Sequence, residues 1–184
     1  MKGWGAPAAL VLLVAGPASL VALPRFFGLP AASSVDAVLA PSSAVAAWFV
    51  ALAALAVARE PASDLVIAAP RRAKLTNLAR IAATYGLGVA ACLAAGASAA
   101  PLVTSSATFL AQGLVVASLT TLDVAWVVPT VHLTSAASLG AAGRADVAPW
   151  AWPVMVEPPM ETAVAALLAV ALGLVAWGRR LRLR

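Results

Sequence analysis

Three residues in this chain carry side chains that do chemistry when a fold arranges them: Asp123, the only histidine His132, and the only cysteine Cys92. Asp123 and His132 share one mostly apolar stretch, Leu114–Leu139. If residues 120–134 form one helix, successive residues rotate by about 100°. Thr120, Asp123, Trp126, Thr130 and Thr134 then lie in a single stripe, and His132 falls on the opposite side. The two are therefore no acid–base pair unless Pro129 breaks the helix between them. Asp123 has two readings, a helix cap in a turn or an intramembrane carboxylate. The second costs roughly 2.5–3.5 kcal/mol on insertion scales and requires a protein-facing position.

His132 has three readings: a ligand, a proton relay, or a packed side chain bonded to a neighbouring helix. One imidazole does not make a metal site, and no Cys or carboxylate stands at ligand spacing from it. No nucleophile elbow, HExxH, phosphate-binding loop, CxxC or paired-carboxylate pattern appears, so hydrolase, metalloenzyme and nucleotide-binding readings start low. Cys92 belongs to a different pattern. Thr84, Gly88, Cys92, Gly96 and Ala100 recur every four residues and so lie along one side of a helix. Small residues at that spacing let helix backbones approach closely, so Gly88, Cys92 and Gly96 are expected to pack against another helix.

The elements that must position these residues are set by composition. Hydrophobic residues make up 63% and charged residues 10% of the chain, against roughly 45–50% and about 25% in soluble domains. Apolar runs of spanning length, separated by charged or Pro-rich stretches, are what bilayer thickness demands. The expectation is an all-α, polytopic transmembrane helical bundle forming a single domain over residues 1–184, with the lipid bilayer as its surroundings. Its net charge of +5 comes from clustered Arg. No basic face with interleaved aromatics is present, which excludes a nucleic-acid partner.

In chain order the expected spans are 6–23, 42–58, 79–99, 103–122, 124–143 and 160–178. The first is read as a retained helix rather than a cleaved signal. Residues 24–41 form a loop, with an interfacial helix possible near Ser33 or Ser34. Pro101 and Thr104–Ser106 make a turn, and the Trp- and Pro-rich segment 144–160 lies outside with its indoles at the interface. The loop Arg59–Arg80 holds five positive charges and is placed in the cytoplasm. Five spans result if 103–143 crosses only once, six require a tight turn near Thr121–Asp123, and a re-entrant segment is the competing geometry. Six spans place ten basic residues inside (Lys2, Arg59, Arg71, Arg72, Lys74, Arg80, Arg179, Arg180, Arg182, Arg184) and two outside (Arg25, Arg144). Six crossings with both termini cytoplasmic is the preferred reading.

Two stretches resemble the transmembrane protein 205 family and its bacterial relatives of unknown function. LVALPRFFG at 20–28, followed by VLAP at 38–41, is similar to that family's Leu-Pro-Arg loop and the opening of its second span. LTTLDVAWVVPT at 119–130 resembles a second family segment. Ala40 stands where the family has an aromatic, and Asp123 where it has Asn. The resemblance implies a small helical membrane protein and carries over no site and no cofactor.

Three functions follow as expectations. The first is a small integral membrane protein without catalytic machinery, a packing or accessory subunit working as a homo-oligomer or in a larger membrane complex. The second is a small oligomeric transporter or channel lined by Asp123, His132 and the nearby threonines. The third is a membrane enzyme acting on a lipid or hydrophobic small molecule, with a lone general base. The topology has a direct check. Reporter fusions after Arg184 and between Gly143 and Trp150 should read opposite sides, and a tail read outside would return the count to five.

Overall fold

The computed structural model describes residues 5–22, 26–29, 38–58, 70–139, 149–155 and 158–180. Six helices account for almost all of it: α1 (Gly5–Ala22), α2 (Ser42–Ala58), α3 (Pro70–Ala94), α4 (Ala99–Leu119), α5 (Val127–Leu139) and α6 (Met160–Arg180). Two 3-10 segments, Leu122–Val124 and Pro149–Val154, flank α5. Before α2, β1 (Phe26–Leu29) pairs antiparallel with β2 (Val38–Pro41), from Phe26 opposite Pro41 to Leu29 opposite Val38. This short pair lies in the stretch 24–41 expected as a loop, and the rest of the described structure is helical, as the all-α expectation has it. The surface helix expected near Ser33 or Ser34, and the basic tail beyond Arg180, fall outside the described residues.

The expected first, second and sixth spans coincide with α1, α2 and α6 to within two residues. The third does not. Helix α3 begins at Pro70, so Arg71, Arg72, Lys74 and Arg80 are helical and do not form a loop. Pro at the start of a helix gives up only a donor that has no partner there, and Arg and Lys propagate helix well. Helix α3 ends at Ala94 because Gly96 turns the chain with φ 93°. Its N–H donates to Leu93 O and the Ala97 N–H to Cys92 O, each at 3.0 Å, the paired bonds of a Schellman termination. Gly96 is thus a helix stop and not a packing residue. It is exposed, and a Cβ built on it meets nothing within 4 Å.

Pro101 and Thr104–Ser106, expected as a turn, belong to α4. Pro101 sits in the first helical turn, where its missing N–H costs nothing. The expected span 124–143 is corrected more deeply. Helix α5 has 13 residues, about 20 Å at 1.5 Å per residue, against a hydrocarbon core of about 30 Å. Pro129 sits in its first turn and starts the helix without breaking it. Among the described residues three helical stretches are long and apolar enough to cross a membrane, Leu75–Ala94, Ala99–Leu119 and Met160–Arg179, with shorter apolar helices at Ala6–Val21 and Ser42–Ala58.

Helix α4 is the hub, packed against α2, α5, α6 and both 3-10 segments. Of its apolar window 67% is buried, against 28% for α3 and 17% for α6. Helix α2 closes the other side with Ala44, Ala46, Ala47, Val50, Ala51, Ala53 and Ala54, all fully buried. Helix directions follow from contacts. Tyr85 meets Ser106 across the short α3–α4 turn, so these two helices are antiparallel. Pro153 O lies on Ser105, and Gly173 lies against Ala111 and Leu114 of α4. An antiparallel α6 would put Met160 about 30 Å from Pro153 along the axis, beyond the ~25 Å reach of seven extended residues. Helix α6 therefore runs with α4 and against α3.

Small residues set the closest approaches. A Cβ on Gly16 would sit 3.5 Å from Cys92 Sγ and 3.6 Å from Ala46 O. One on Gly88 would meet Val50 Cγ1 at 3.0 Å and Leu13 Cδ2 at 3.1 Å. One on Gly113 would collide with Leu55. Gly88 and Cys92 thus stand where α1, α2 and α3 meet. Gly88→Leu should destabilise the protein by about 1–3 kcal/mol through overpacking, measured by thermal unfolding in detergent. Gly86→Ala, whose added Cβ meets nothing within 4 Å, should be close to neutral or better. Equal loss in both variants would contradict this packing.

Candidate functional site

Within its apolar surface α4 carries Thr104, Ser105, Ser106, Thr108 and Gln112. The first four are at most 5% exposed. Buried hydroxyls must find partners or pay for desolvation. Ser106 pairs with Tyr85 Oη of α3 at 2.9 Å. Ser105, Thr108 and Gln112 reach α5 and the second 3-10 segment, or bond along α4 itself. Ser105 donates to Pro153 O at 2.9 Å. Trp152 Nε1 donates to Thr108 Oγ1 at 3.0 Å, and that hydroxyl donates to Thr104 O at 2.8 Å.

His132 of α5 lies at the centre of this seam. Its Nε2 is 3.0 Å from Trp150 O, and a carbonyl only accepts, so Nε2 carries the proton. Nδ1 then accepts from Gln112 Nε2 at 2.6 Å. With these bonds the ring carries a proton on Nε2 and accepts at Nδ1. Phe109 and Trp152 flank the ring edge to face, with centroids at 6.1 and 5.9 Å. Both ring nitrogens are engaged, so the imidazole takes a substrate proton only by giving up one of these bonds. Among the described residues no group of three His, Cys, Asp or Glu side chains stands together to hold a metal.

Residues 120–134 do not form one helix, and the expected stripe is cut. Thr120 follows α4 and its hydroxyl donates back to Val116 O at 2.8 Å. Asp123 is exposed within the Leu122–Val124 turn, whose N-cap is Thr121. It stands at the elbow between α4 and α5, outside the bundle interior that an intramembrane functional carboxylate needs. From there the stripe survives as a ladder. Trp126 Nε1 donates to Asp123 O at 2.9 Å, Thr130 Oγ1 to Trp126 O at 2.7 Å, and Thr134 Oγ1 to Thr130 O at 2.9 Å. Trp48 of α2 ties this ladder to the bundle by donating to Thr130 Oγ1 at 3.2 Å.

The seam contains residues that sequence reasoning passed over: Gln112, Thr108, Ser105, Trp152 and the Trp150 carbonyl. The signal for the first three was present, as polar residues recurring at three- and four-residue steps inside an apolar helix. The segment 149–154 carried no such signal. It was expected at the interface, yet Ala151, Pro153 and Val154 are buried, because its carbonyls serve Ser105 and His132. Comparison with protein-family models, curated proteins and solved structures finds no match to this chain.

His132→Ala strands the Gln112 amide and the Trp150 carbonyl, and should cost about 1–3 kcal/mol. Gln112→Ala should cost a similar amount. The double variant should lose less than the sum, because both act through one bond. Strict additivity in thermal unfolding would show that the two side chains do not interact.

Proposed function

We propose that this chain is a multi-pass integral membrane protein that acts as a non-catalytic packing or accessory subunit. The observation that carries the reading is an inverted distribution of polarity. Hydroxyls, an amide and an imidazole are turned into the middle of the bundle, while Leu10, Val11 and Val14 of α1 and Val164, Leu167, Leu168 and Leu172 of α6 are 50–70% exposed. Such outer rows are stable where lipid replaces water. In this reading α1–α4 and α6 cross, and the return between α4 and α6 is a broken passage made by α5 and the second 3-10 segment. That count of six keeps both ends of the chain on the cytoplasmic side, as the ten-to-two distribution of basic residues favours.

A second reading, a small oligomeric transporter or channel, is favoured by two buried oxygens. Thr104 Oγ1 and Gln112 Oε1 have no hydrogen-bond partner among the described residues, and they stand two turns apart on the seam. Reconstitution separates the readings. The accessory reading expects carbonate-resistant membrane association, a discrete crosslinked species heavier than the 18.4 kDa chain, and no proton or cation flux in liposomes. Release by carbonate would overturn the membrane assignment. Flux abolished by Gln112→Leu would overturn the accessory role in favour of transport.

A further inference from the structure

Helices α3, α4 and α6 leave a partly open cavity of about 410 Å³ between them, lined by Leu78, Ile81 and Tyr85 of α3, Leu110 of α4, and Leu174 and Val175 of α6. That volume lies within the roughly 300–1,000 Å³ of ligand pockets. Its lining is almost wholly apolar, because the one hydroxyl on its wall, Tyr85 Oη, is paired with Ser106 at 2.9 Å. A long apolar chain suits it, and a polar solute does not.

The charge lies at one end. Positions 71, 74, 78, 81 and 85 follow the three- and four-residue steps of a single helical face. By position, the same face of the helix passes through residues 74 and 71, both basic, one and two turns before Leu78. On α6, Arg179 is exposed one turn beyond Val175. Because α6 runs against α3, the start of α3 and the end of α6 lie at the same end of the groove. An apolar slot ending in basic residues from two helices complements one kind of molecule in a bilayer: an acyl chain carrying an anionic headgroup.

We infer that this groove binds one anionic glycerophospholipid, with an acyl chain along Leu78, Ile81, Leu110 and Leu174 and its phosphate at the end where α3 starts and α6 ends in Arg179. The inference rests on the membrane reading above, which carbonate extraction tests independently; absence of bound lipid would leave that reading intact.

The test is native mass spectrometry of the full chain released from nanodiscs containing equal phosphatidylglycerol and phosphatidylcholine with identical acyl chains. Wild type should retain one phosphatidylglycerol in preference to phosphatidylcholine. Lys74→Gln and Arg179→Gln should each lower that preference about fivefold, the effect of one basic residue near an anionic surface. Ala82→Phe fills the groove from α3 and should abolish retention of both lipids with unchanged thermal stability. Val175→Trp fills it from α6 and serves if the first variant does not fold. Equal retention of the two lipids by wild type, or undiminished retention in the folded groove-filling variants, would overturn the proposal. So would a wild-type dimer that Ala82→Phe converts to monomer, because the occupant would then be a second copy of the chain.

Discussion

The structure depends on one set of bonds: Ser105, Ser106, Thr108 and Gln112 of α4 reach their partners inside the bundle. Ser105, Ser106 and Thr108 are at most 5% exposed, and a buried hydroxyl without a partner costs about 1–3 kcal/mol. These bonds fix what surrounds α4. Tyr85 brings α3 to one side through Ser106. On the other side Pro153 and Trp152 bind the second 3-10 segment to Ser105 and Thr108. His132 joins that segment to α5 and α5 to Gln112. The short α5 is thus held by hydrogen bonds as much as by its apolar surface, which suits a helix whose Val131, Thr134 and Leu139 stay exposed.

Where hydrogen bonds are absent, small side chains do the joining. The three-way contact of α1, α2 and α3 is made by Gly16, Ala46, Gly88 and Cys92, and α2 presents alanine along most of its buried length. Close backbone approach maximises dispersion contacts, and these remain available when the surroundings are as apolar as the helices themselves. Cys92 is fully buried in this contact. The two modes divide the molecule, with a dry small-residue joint at α1–α3 and a hydrogen-bonded joint at α4, α5 and the second 3-10 segment.

How much of this was legible follows the range of the interactions involved. Helices α2 and α6 were readable because their apolar runs end at Pro41, at Arg59 and at the prolines before Met160. The start of α3 was not, because Arg71, Arg72 and Lys74 read as loop by charge although they favour helix. Gly96 was ambiguous in principle: a glycine on a four-residue repeat suits a packing face and a helix stop equally, and only φ decides. The elbow at 120–126 was legible from length and charge balance, which call for a tight turn near Thr121–Asp123, although periodicity taken alone runs one helix through it. His132 reads from the sequence as a ligand, a proton relay or a packed side chain. Its actual partners, Gln112 and the Trp150 carbonyl, lie 20 and 18 residues away, beyond the reach of any local pattern. The family-like stretch 119–130 forms this elbow, while its companion at 20–28 lies partly outside the described residues.

The central claim is that polarity is inverted, with α4 shielded and the outer faces of α1 and α6 in contact with lipid. Photolabelling from a diazirine-bearing phospholipid in liposomes, read residue by residue, tests it without substitutions. Labels should fall on Leu10, Val11 and Val14 of α1 and on Val164, Leu167, Leu168 and Leu172 of α6. They should spare Thr104–Gln112 of α4 and His132. Labelling of the α4 seam by the lipid probe, or modification of the α6 row by a water-soluble carbene instead, would contradict the account.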